Sequence, residues 1–453
     1  MKKITLMIIL ALVFQSEVMP QSCLPNGITF STQSEIDNFQ INHPNCSEIE
    51  GNVIISGSDI NDLTGLNVIN SYWSDLFIWN NDSLTNLSGL ENVTSVNGSI
   101  LIGSHEYGAN PSLISLSGLD NLSHIGGDLR LSKLYSLTDI SALNKIDTIW
   151  GTLTFLLCKS LTDLYGIDSL RYIGGSLEII QNKCLNELNS LINVTSIGKE
   201  LAIYYNDSIS NLYGLNNISY IGEHLWITGN PHLTTLDGLN SLEFVGESVS
   251  ILSDTLENLH GLSSLSIIND GGIMISSNTL SDLTGLENLI EINGPIIISY
   301  CNSLVSLEGI ENISPESITL LRLKYNPLLT TCEVESVCSF INQSWSVTDI
   351  DNNAFGCSTL DEIEEACQIV KVNNIQHGNE LFFHPNPAKN KIEFSKNIAG
   401  RIIDLKIYNQ FGQQIISDQN IINSVDISKL SRGIYIIEIK TINSKIIQKL
   451  ILQ

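Results

Sequence analysis

Acidic side chains recur at one place in a repeated Leu-x-x-Leu pattern, directly before the second leucine. Carboxylate oxygens are ligands that Ca²⁺ prefers, and some solenoid proteins bind it with ladders of aspartate. Other polar residues interrupt this column, and the spacing between repeats would leave few ligands for each ion. We therefore predict a solvated acidic face and no metal cofactor, with a calcium site as the alternative. The acidic members are Asp62, Asp139, Asp163, Glu187 and Asp282, and the interruptions are Asn86, Asn211, Thr235 and Ser306.

No arrangement of residues predicts catalysis. The sequence has no HExxH, P-loop or GxSxG motif, and no dinucleotide-binding fingerprint between a strand and a helix. The eight histidines occupy unrelated positions, and the neighbours His105 and Glu106 lie in an insertion of a kind that is usually a solvated loop. We expect neither catalytic residues nor a cofactor.

The N-terminus has the composition of an export signal. Lys2 and Lys3 precede an apolar run over residues 4–14, and residues 15–22 are more polar. Eleven apolar residues are too few to span a bilayer, which needs about 20. We predict a signal peptide over residues 1–22, export of the mature chain and no membrane span. A lipoprotein site at Cys23 is the alternative, although Pro-Gln-Ser before it is a poor lipobox.

Nine cysteines in an exported chain suggest disulfide bonds near both ends of the acidic region. We predict a bridge between Cys23 and Cys46. Cys332 and Cys338 are badly spaced to pair with each other within one helix, so we expect both to reach Cys357 and Cys367, in either order. The other three are Cys158, Cys184 and Cys301, and a bridge from Cys158 to Cys184 is an alternative for two of them.

Charge divides the chain into two regions. The whole sequence has 22 basic and 48 acidic residues, a net charge of −26. Residues 381–453 hold 10 basic and 5 acidic residues, a net charge of +5, which leaves −31 for residues 1–380. Such an acidic surface repels phosphate backbones, so we expect no nucleic-acid partner. With 43% hydrophobic residues, the chain is too apolar to be disordered.

A 24-residue repeat organises the acidic region. The glycine of a recurring Leu-x-Gly-Leu returns in steps of 24, 29, 24, 24, 24, 24, 24, 23, 24 and 24, and the 29 marks a five-residue insertion. Within each unit two apolar residues alternate as in a short strand, and no unit shows a helical period. Stacked units would pair these strands into a parallel sheet. The origins are Gly65, Gly89, Gly118, Ala142, Gly166, Ser190, Gly214, Gly238, Gly261, Gly285 and Gly309.

A second column lies three residues after the second apolar residue of each short strand. We interpret an inward asparagine there as satisfying backbone groups of its own and the next coil, with cysteine as its replacement. Cys158 and Cys301 are therefore predicted to be structural. The column consists of Asn81, Cys158, Asn182, Asn206, Asn230, Asn278, Cys301 and Asn326.

Residues 161–182 read Leu-x-x-Leu-x-Gly-Leu-x-x-Leu-x-x-Ile-Gly-Gly-x-Leu-x-Ile-x-x-Asn. This pattern resembles the leucine-rich-repeat and receptor L-domain superfamily over residues 47–331. The resemblance implies a mainly β, right-handed solenoid, here of about eleven coils, whose parallel sheet presents a ligand-binding face. We predict caps over residues 23–46 and 332–367, with short helices near residues 32–39, 333–341 and 359–367.

The last segment follows a different pattern. After a linker over residues 368–380, alternating strands predict a small antiparallel β-sandwich over residues 381–453. The order of its landmarks resembles the type A C-terminal sorting domain of the type IX secretion system, with an ordinary adhesion module as the alternative. The resemblance implies a Bacteroidota-type cell, Sec export, passage across the outer membrane and contact with the secretion machinery. Its motif residues are Pro385, Asn386, Pro387, Gly433, Tyr435 and Lys449.

Large apolar residues also occupy outward positions of the short strands, where solvent-facing residues are expected. Exposed aromatic rings along a sheet are typical of surfaces that bind glycans or proteins. We predict a secreted or surface-displayed, non-catalytic adhesion protein whose ligand-binding residues include Phe77, Trp79, Tyr204 and Trp226. A structural spacer without a ligand is the first alternative, and a glycan-acting enzyme is the second. The outward set is Phe77, Trp79, Leu101, Leu156, Ile180, Tyr204, Trp226, Leu252, Met274 and Ile297.

Overall fold

The computed structural model describes residues 21–104, 106–373, 383–394, 402–409, 413–418, 424–441 and 445–453. Most of the predicted signal peptide, His105 and part of the predicted linker lie outside these residues. The chain forms two compact units that divide between Ile363 and Glu364. The division falls inside a helix, a few residues before the predicted end of the C-terminal cap.

Alternating apolar residues form the strands of a long parallel sheet, which confirms the predicted mainly β solenoid. In one coil Leu225 and Ile227 point inward and are fully buried, while Trp226 between them points outward. The fourteen strands, in spatial order, are Ile28–Phe30, Val53–Ile55, Leu76–Ile78, Ile100–Ile102, Leu129–Ser132, Leu153–Leu156, Leu177–Ile180, Leu201–Tyr204, Leu225–Thr228, Val249–Ser253, Ile273–Ser277, Gly294–Ser299, Ile318–Lys324 and Thr348–Asp351.

The solenoid therefore has about fourteen turns, and the predicted number of about eleven was too low. The prediction counted one coil for each Leu-x-Gly-Leu origin, and the coils at the two ends of the stack have no such origin. Ile28–Phe30 and Thr348–Asp351 come from the segments predicted as caps, and both pair in the long sheet. The two predicted caps therefore each contribute a coil to the solenoid.

A second parallel sheet, which the repeat did not predict, runs along the solenoid. Most of its strands have two residues, too few for a period-two pattern to be visible. Its eleven strands are Gln21–Cys23, Cys46–Ile49, Ser71–Tyr72, Ser95–Val96, His124–Ile125, Thr148–Ile149, Tyr172–Ile173, Ser196–Ile197, Tyr220–Ile221, Phe244–Val245 and Ile267–Ile268. The first strand begins at Gln21, two residues before the predicted mature start.

The Leu-x-Gly-Leu corner has two forms. At seven glycines φ lies between 108° and 122°, a region that favours glycine. At Ala142 and Ser190 the corner is instead a 3₁₀ turn, over Ser141–Leu143 and Asn189–Leu191. Because a 3₁₀ turn needs only negative φ, this form accepts a side chain. It explains why two repeats tolerate the loss of glycine.

Helices and disulfides close the two ends of the stack. Helix α1 (Gln33–Asp37) opens with a capping box between Thr32 and Glu35 and is followed by α2 (Phe39–Asn42). Helix α3 spans Glu335–Ile341, and α4 spans Leu360–Asn373, six residues beyond its predicted end. These four helices match the predicted positions, and α1 and α2 together replace one predicted helix.

The structure joins Cys23 to Cys46 and Cys332 to Cys357, with Cα–Cα distances of 5.6 and 5.9 Å. Cys338 and Cys367 are also disulfide-bonded. Cys158, Cys184 and Cys301 are free, so the alternative bridge from Cys158 to Cys184 was wrong.

The second unit contains two antiparallel sheets, as the alternating strands predicted. One has Phe383–His384, Lys391–Phe394 and Ser424–Asp426, and the other has Ile402–Asn409, Gln414–Asp418, Gly433–Thr441 and Lys445–Leu452. Both sheets contribute to one core, which includes Ile392, Leu405, Ile437 and Leu450, all fully buried. In the described part of the whole chain, no helix is both long and apolar enough to cross a membrane.

Candidate ligand-binding face

The outward side of the long sheet carries two parallel columns of side chains. The middle column lies between the two inward residues of each strand and includes Phe77, Trp226 and Met274. The end column follows the second inward residue and includes Tyr204 and Leu252. Nine of the ten predicted outward residues are half-buried and Met274 is exposed, so the face keeps partial access to solvent.

The four predicted ligand-binding residues form two separate groups rather than one site. Phe77 and Trp79 lie with ring centroids 4.9 Å apart, and Tyr107 from the insertion stacks on Trp79 at 5.1 Å. Tyr204 stacks on Trp226 at 6.2 Å. Five coil steps separate the strand of Phe77 from that of Tyr204, about 24 Å at the usual strand spacing. Tyr107 was missed because an insertion interrupts the repeat that identified the others.

A third group forms a groove of about 460 Å³ near the C-terminal end of the face. Met274 and Ile297 contribute apolar surface, and Tyr300 and Tyr325 stack with their ring centroids 4.8 Å apart. The groove also has a charged group, where Asp349 accepts from Arg322 at 2.9 Å and from Lys324 at 2.7 Å. Hydrogen bonding to Lys324 lowers the pKa of Asp349, so this carboxylate stays ionised beside the two cations.

Tyr300 and Tyr325 belong to a corner column that turns the chain out of the long sheet. Residues in this column have φ between 54° and 66°, the left-handed region that Gly and Asn adopt most easily. Gly229, Asn80 and Asn352 occupy it in three coils and Tyr205, Tyr300 and Tyr325 in three others, while Lys133, Leu157 and Gln181 occupy it in three more. These tyrosines are 55%, 60% and 43% exposed, so a large part of each ring remains open to solvent. Sequence reasoning missed them because it considered only strand positions.

The asparagine column lies inside the solenoid as predicted and forms a ladder. The Asn206 amide accepts from the Asn182 backbone N–H at 3.0 Å and donates to the Ile179 carbonyl at 2.8 Å. The Asn206 backbone N–H in turn donates to Asn230 at 2.9 Å. The backbone partners belong to the same coil or the preceding one, not to the next coil as predicted.

Cys158 and Cys301 replace asparagine in this ladder, which supports their predicted structural role. The Cys158 thiol donates to the Leu131 carbonyl at 3.5 Å, and its backbone N–H donates to Asn182. Burial raises the pKa of Cys158 to about 12 and that of Cys301 to about 11, so both stay protonated.

The ladder differs from the predicted column at three positions. Asn278 is exposed, and Ser277 next to it is buried instead. Asn110 is fully buried and accepts from the Asn81 backbone N–H at 3.0 Å. Asn353 accepts from the Asn326 backbone N–H at 3.2 Å. Asn110 follows the insertion and Asn353 lies beyond the counted repeats.

The acidic column caps turns of the solenoid. Asp62, Asp139, Asp163 and Asp282 each accept a hydrogen bond from the backbone N–H two residues later, at 2.8 to 3.0 Å. Asn86, Asn211, Thr235 and Ser306 accept the same bond, so an oxygen acceptor is what the position requires. Glu187 instead accepts from the Asn189 side chain at 3.4 Å. In the described residues, no group of three or more His, Cys, Asp or Glu side chains could hold a metal ion.

The motif residues of the second unit surround its last strand. The Asn386 side chain donates to the Lys449 carbonyl at 2.7 Å and accepts from the Ile451 N–H at 2.8 Å, between Pro385 and Pro387. The Tyr435 hydroxyl donates to the Ser431 carbonyl at 3.0 Å, and Gly433 begins the strand that pairs with Lys445–Leu452. The motif therefore fixes the C-terminal strand to the rest of the unit.

Comparison with known proteins identifies this unit. Residues 383–453 match the family of the secretion system C-terminal sorting domain. Comparison with curated proteins gives no match for the chain. The chain is thus a β-solenoid of stacked coils that carries, at residues 383–453, a C-terminal sorting domain of the type IX secretion system, which implies secretion or cell-surface localisation in a Bacteroidota-type bacterium.

Proposed function

We propose that this protein is a non-catalytic binding or adhesion protein that holds a protein or glycan ligand on the outward face of its long sheet. The observation that carries the proposal is the set of three exposed tyrosines in the corner column. Each stands where Gly or Asn would be easier to accommodate, and each leaves a large part of its ring open to solvent. We infer that tyrosine occupies these positions because its exposed ring contacts a ligand.

The distribution of aromatic rings supports a long, multivalent contact. Three groups lie along the same face, at Phe77 and Trp79, at Tyr204 and Trp226, and at Tyr300 and Tyr325. A rigid sheet presents them at fixed separations, so binding at one group raises the effective concentration at the others. Large aromatic side chains are also the residues that contribute most to binding at such interfaces. We propose surface display after type IX secretion as the setting for this contact.

The test compares the full chain with a face variant in which Phe77, Trp79, Tyr204 and Trp226 are changed to Ala. Both are screened against glycan arrays and whole-cell surfaces. We expect the parent to bind and the face variant to lose at least about tenfold in affinity, equivalent to about 1.4 kcal/mol. A second variant, with Tyr300 and Tyr325 changed to Ala, tests the groove in the same way.

A matched control changes Trp150, Tyr172 and Tyr220 to Ala. These residues are 58%, 38% and 43% exposed and lie in or next to the second sheet. The control should bind like the parent. Loss of binding in the control alone would place the site on the second sheet. Absence of binding by a folded parent would favour a structural spacer.

A further inference from the structure

The middle of the face combines two carboxylates with two aromatic rings. Glu178, Ala202 and Trp226 occupy the same register position in three consecutive strands. Tyr204 lies two residues after Ala202 and stacks on Trp226. Glu200 lies two residues before Ala202, directly before the strand Leu201–Tyr204. Ala202 is only 1% exposed, so larger neighbours close over it. We call Glu178, Glu200, Tyr204 and Trp226 the acidic aromatic patch.

The two carboxylates of this patch differ in their partners. Glu178 is held by the Thr154 hydroxyl, which donates to it at 2.7 Å. The Glu200 carboxylate has no hydrogen bond or ion pair with another side chain in the part of the chain that the structure describes. Partial burial and, secondly, the negative charge of Glu178 raise the pKa of Glu200. His224 and Lys199 act on Glu200 in the opposite direction, but their own ion pairs are with Glu247 and Glu223. Glu200 is therefore a half-buried carboxylate close to a like charge, with basic groups nearby but none in a salt bridge with it among the described residues.

Neighbouring basic side chains do not neutralise the patch. Lys199 lies 3.9 Å from Glu223, and the His224 Nε2 lies 3.0 Å from Glu247, so each basic group is directed to a different acid. The His224 ring also stacks on Trp226 at 4.6 Å. The patch thus keeps a net negative charge beside the half-buried rings of Tyr204 and Trp226. An ammonium or guanidinium group fits this combination, because it pairs with a carboxylate and is attracted to the face of Trp or Tyr.

We propose that the acidic aromatic patch binds lysine or arginine side chains of a basic polypeptide partner. The inference rests on the proposed function and specifies the partner at one part of the same face. The net charge of −31 over residues 1–380 would attract a basic chain at long range and would repel anionic glycans. Glu200 would gain a direct salt bridge, and Trp226 and Tyr204 would contact the cationic group.

The experiment measures binding of fluorescent decalysine to the full chain by anisotropy, at low and at physiological salt. We expect Glu200→Gln and Trp226→Ala each to weaken binding about fivefold to tenfold, which corresponds to about 1–1.4 kcal/mol. The matched control is Glu257→Gln, which removes the same charge from an exposed position elsewhere on the solenoid. It should change the affinity less than twofold.

Equal losses in Glu200→Gln and Glu257→Gln would overturn the proposal, because they would show attraction to the overall charge alone. Tighter binding of a chitosan oligomer than of decalysine, with the same dependence on Glu200, would also overturn it in favour of a cationic glycan. Failure of decalysine to bind would refute the inference. The proposed function would survive that failure if the face variant still lost its partner in the array and cell-surface screens.

Discussion

Asn206 and Tyr205 are neighbours in the chain but belong to the inside and the outside of the solenoid. Asn206 is fully buried and bonded to coils on both sides, and the same residue type recurs in Asn182 and Asn230. Tyr205 is 55% exposed, and the equivalent positions hold Gln181 and Gly229. The stacking of coils dictates the inner residue and leaves the outer one free. An unusual choice outside is therefore more informative about function than a regular choice inside.

The largest effect on stability should come from removing a buried asparagine of the ladder. Asn206→Ala leaves the buried Asn182 N–H without its acceptor and the Ile179 carbonyl without its side-chain donor. We expect a loss of about 2–3 kcal/mol in the free energy of unfolding, measured by chemical denaturation of the full chain. The control Asn217→Ala removes a similar bond to the Ile192 carbonyl, at 2.8 Å on the exposed surface. It should cost below about 1 kcal/mol, and equal losses would show that burial of the ladder is unimportant.

Replacing the exposed tyrosine of the corner column should have a smaller effect on stability, and the effect should be a gain. Tyr205→Asn places a residue that tolerates positive φ at a corner where φ is 54°. We expect a gain of up to about 1 kcal/mol in the free energy of unfolding, together with weaker binding in the surface screen. Gln181→Asn, at the same corner with φ of 56°, should give a similar gain without affecting binding. If Tyr205→Asn instead lowers the free energy of unfolding markedly, the tyrosine is there to stabilise the fold and not to bind a ligand.

The smallest effect on stability should come from the acidic column, whose side chains cap turns and belong neither to the buried ladder nor to the outward face of the long sheet. Hydrogen bonds from the Ser141 hydroxyl and backbone N–H lower the pKa of Asp139. A lowered pKa in the folded state stabilises the protein above the ordinary aspartate pKa, and this contribution is lost as the pH falls through the lowered value. Asp139→Asn keeps an oxygen acceptor but cannot titrate. The stability difference between the two proteins should shrink by a few tenths of a kcal/mol in acid, measured by denaturation at pH 5 and pH 2.5. If the difference in free energy of unfolding between the parent and Asp139→Asn is the same at both pH values, the pKa of Asp139 is not lowered by folding.

Much of the fold followed from the sequence because the repeat fixes what lies inward. One inward pair per coil predicted the long sheet, and the asparagine column predicted the ladder at Asn81, Asn182, Asn206, Asn230 and Asn326. The second sheet was not predictable in this way, since a strand of two residues such as Tyr220–Ile221 has no periodicity. The end coils were missed because Phe30 and Ile350 belong to segments without the Leu-x-Gly-Leu signature.

The candidate site was less predictable than the fold. Alternation correctly placed Phe77 and Trp226 on the outward side, but it could not show that they belong to groups separated by several coils. Tyr107 joins the first group from an insertion, and Tyr300 and Tyr325 join the third from the corner column. The insertion lies outside the repeat, and the corner positions recur but share no residue type. Only coil stacking brings residues 22 to 28 positions apart into ring contact.

The sequence by itself determined the repeat, the inward core, the cysteine-rich ends and the sorting domain, because each depends on residue type at a regular or short spacing. Tertiary structure decided which outward side chains become neighbours, which acids cap a turn and that Glu200 lies close to Glu178 on the long face. The physical reason is the range of the interactions. Burial and backbone hydrogen bonding repeat identically in every coil, whereas contacts across the face depend on the register of coils and on the side chains of adjacent strands.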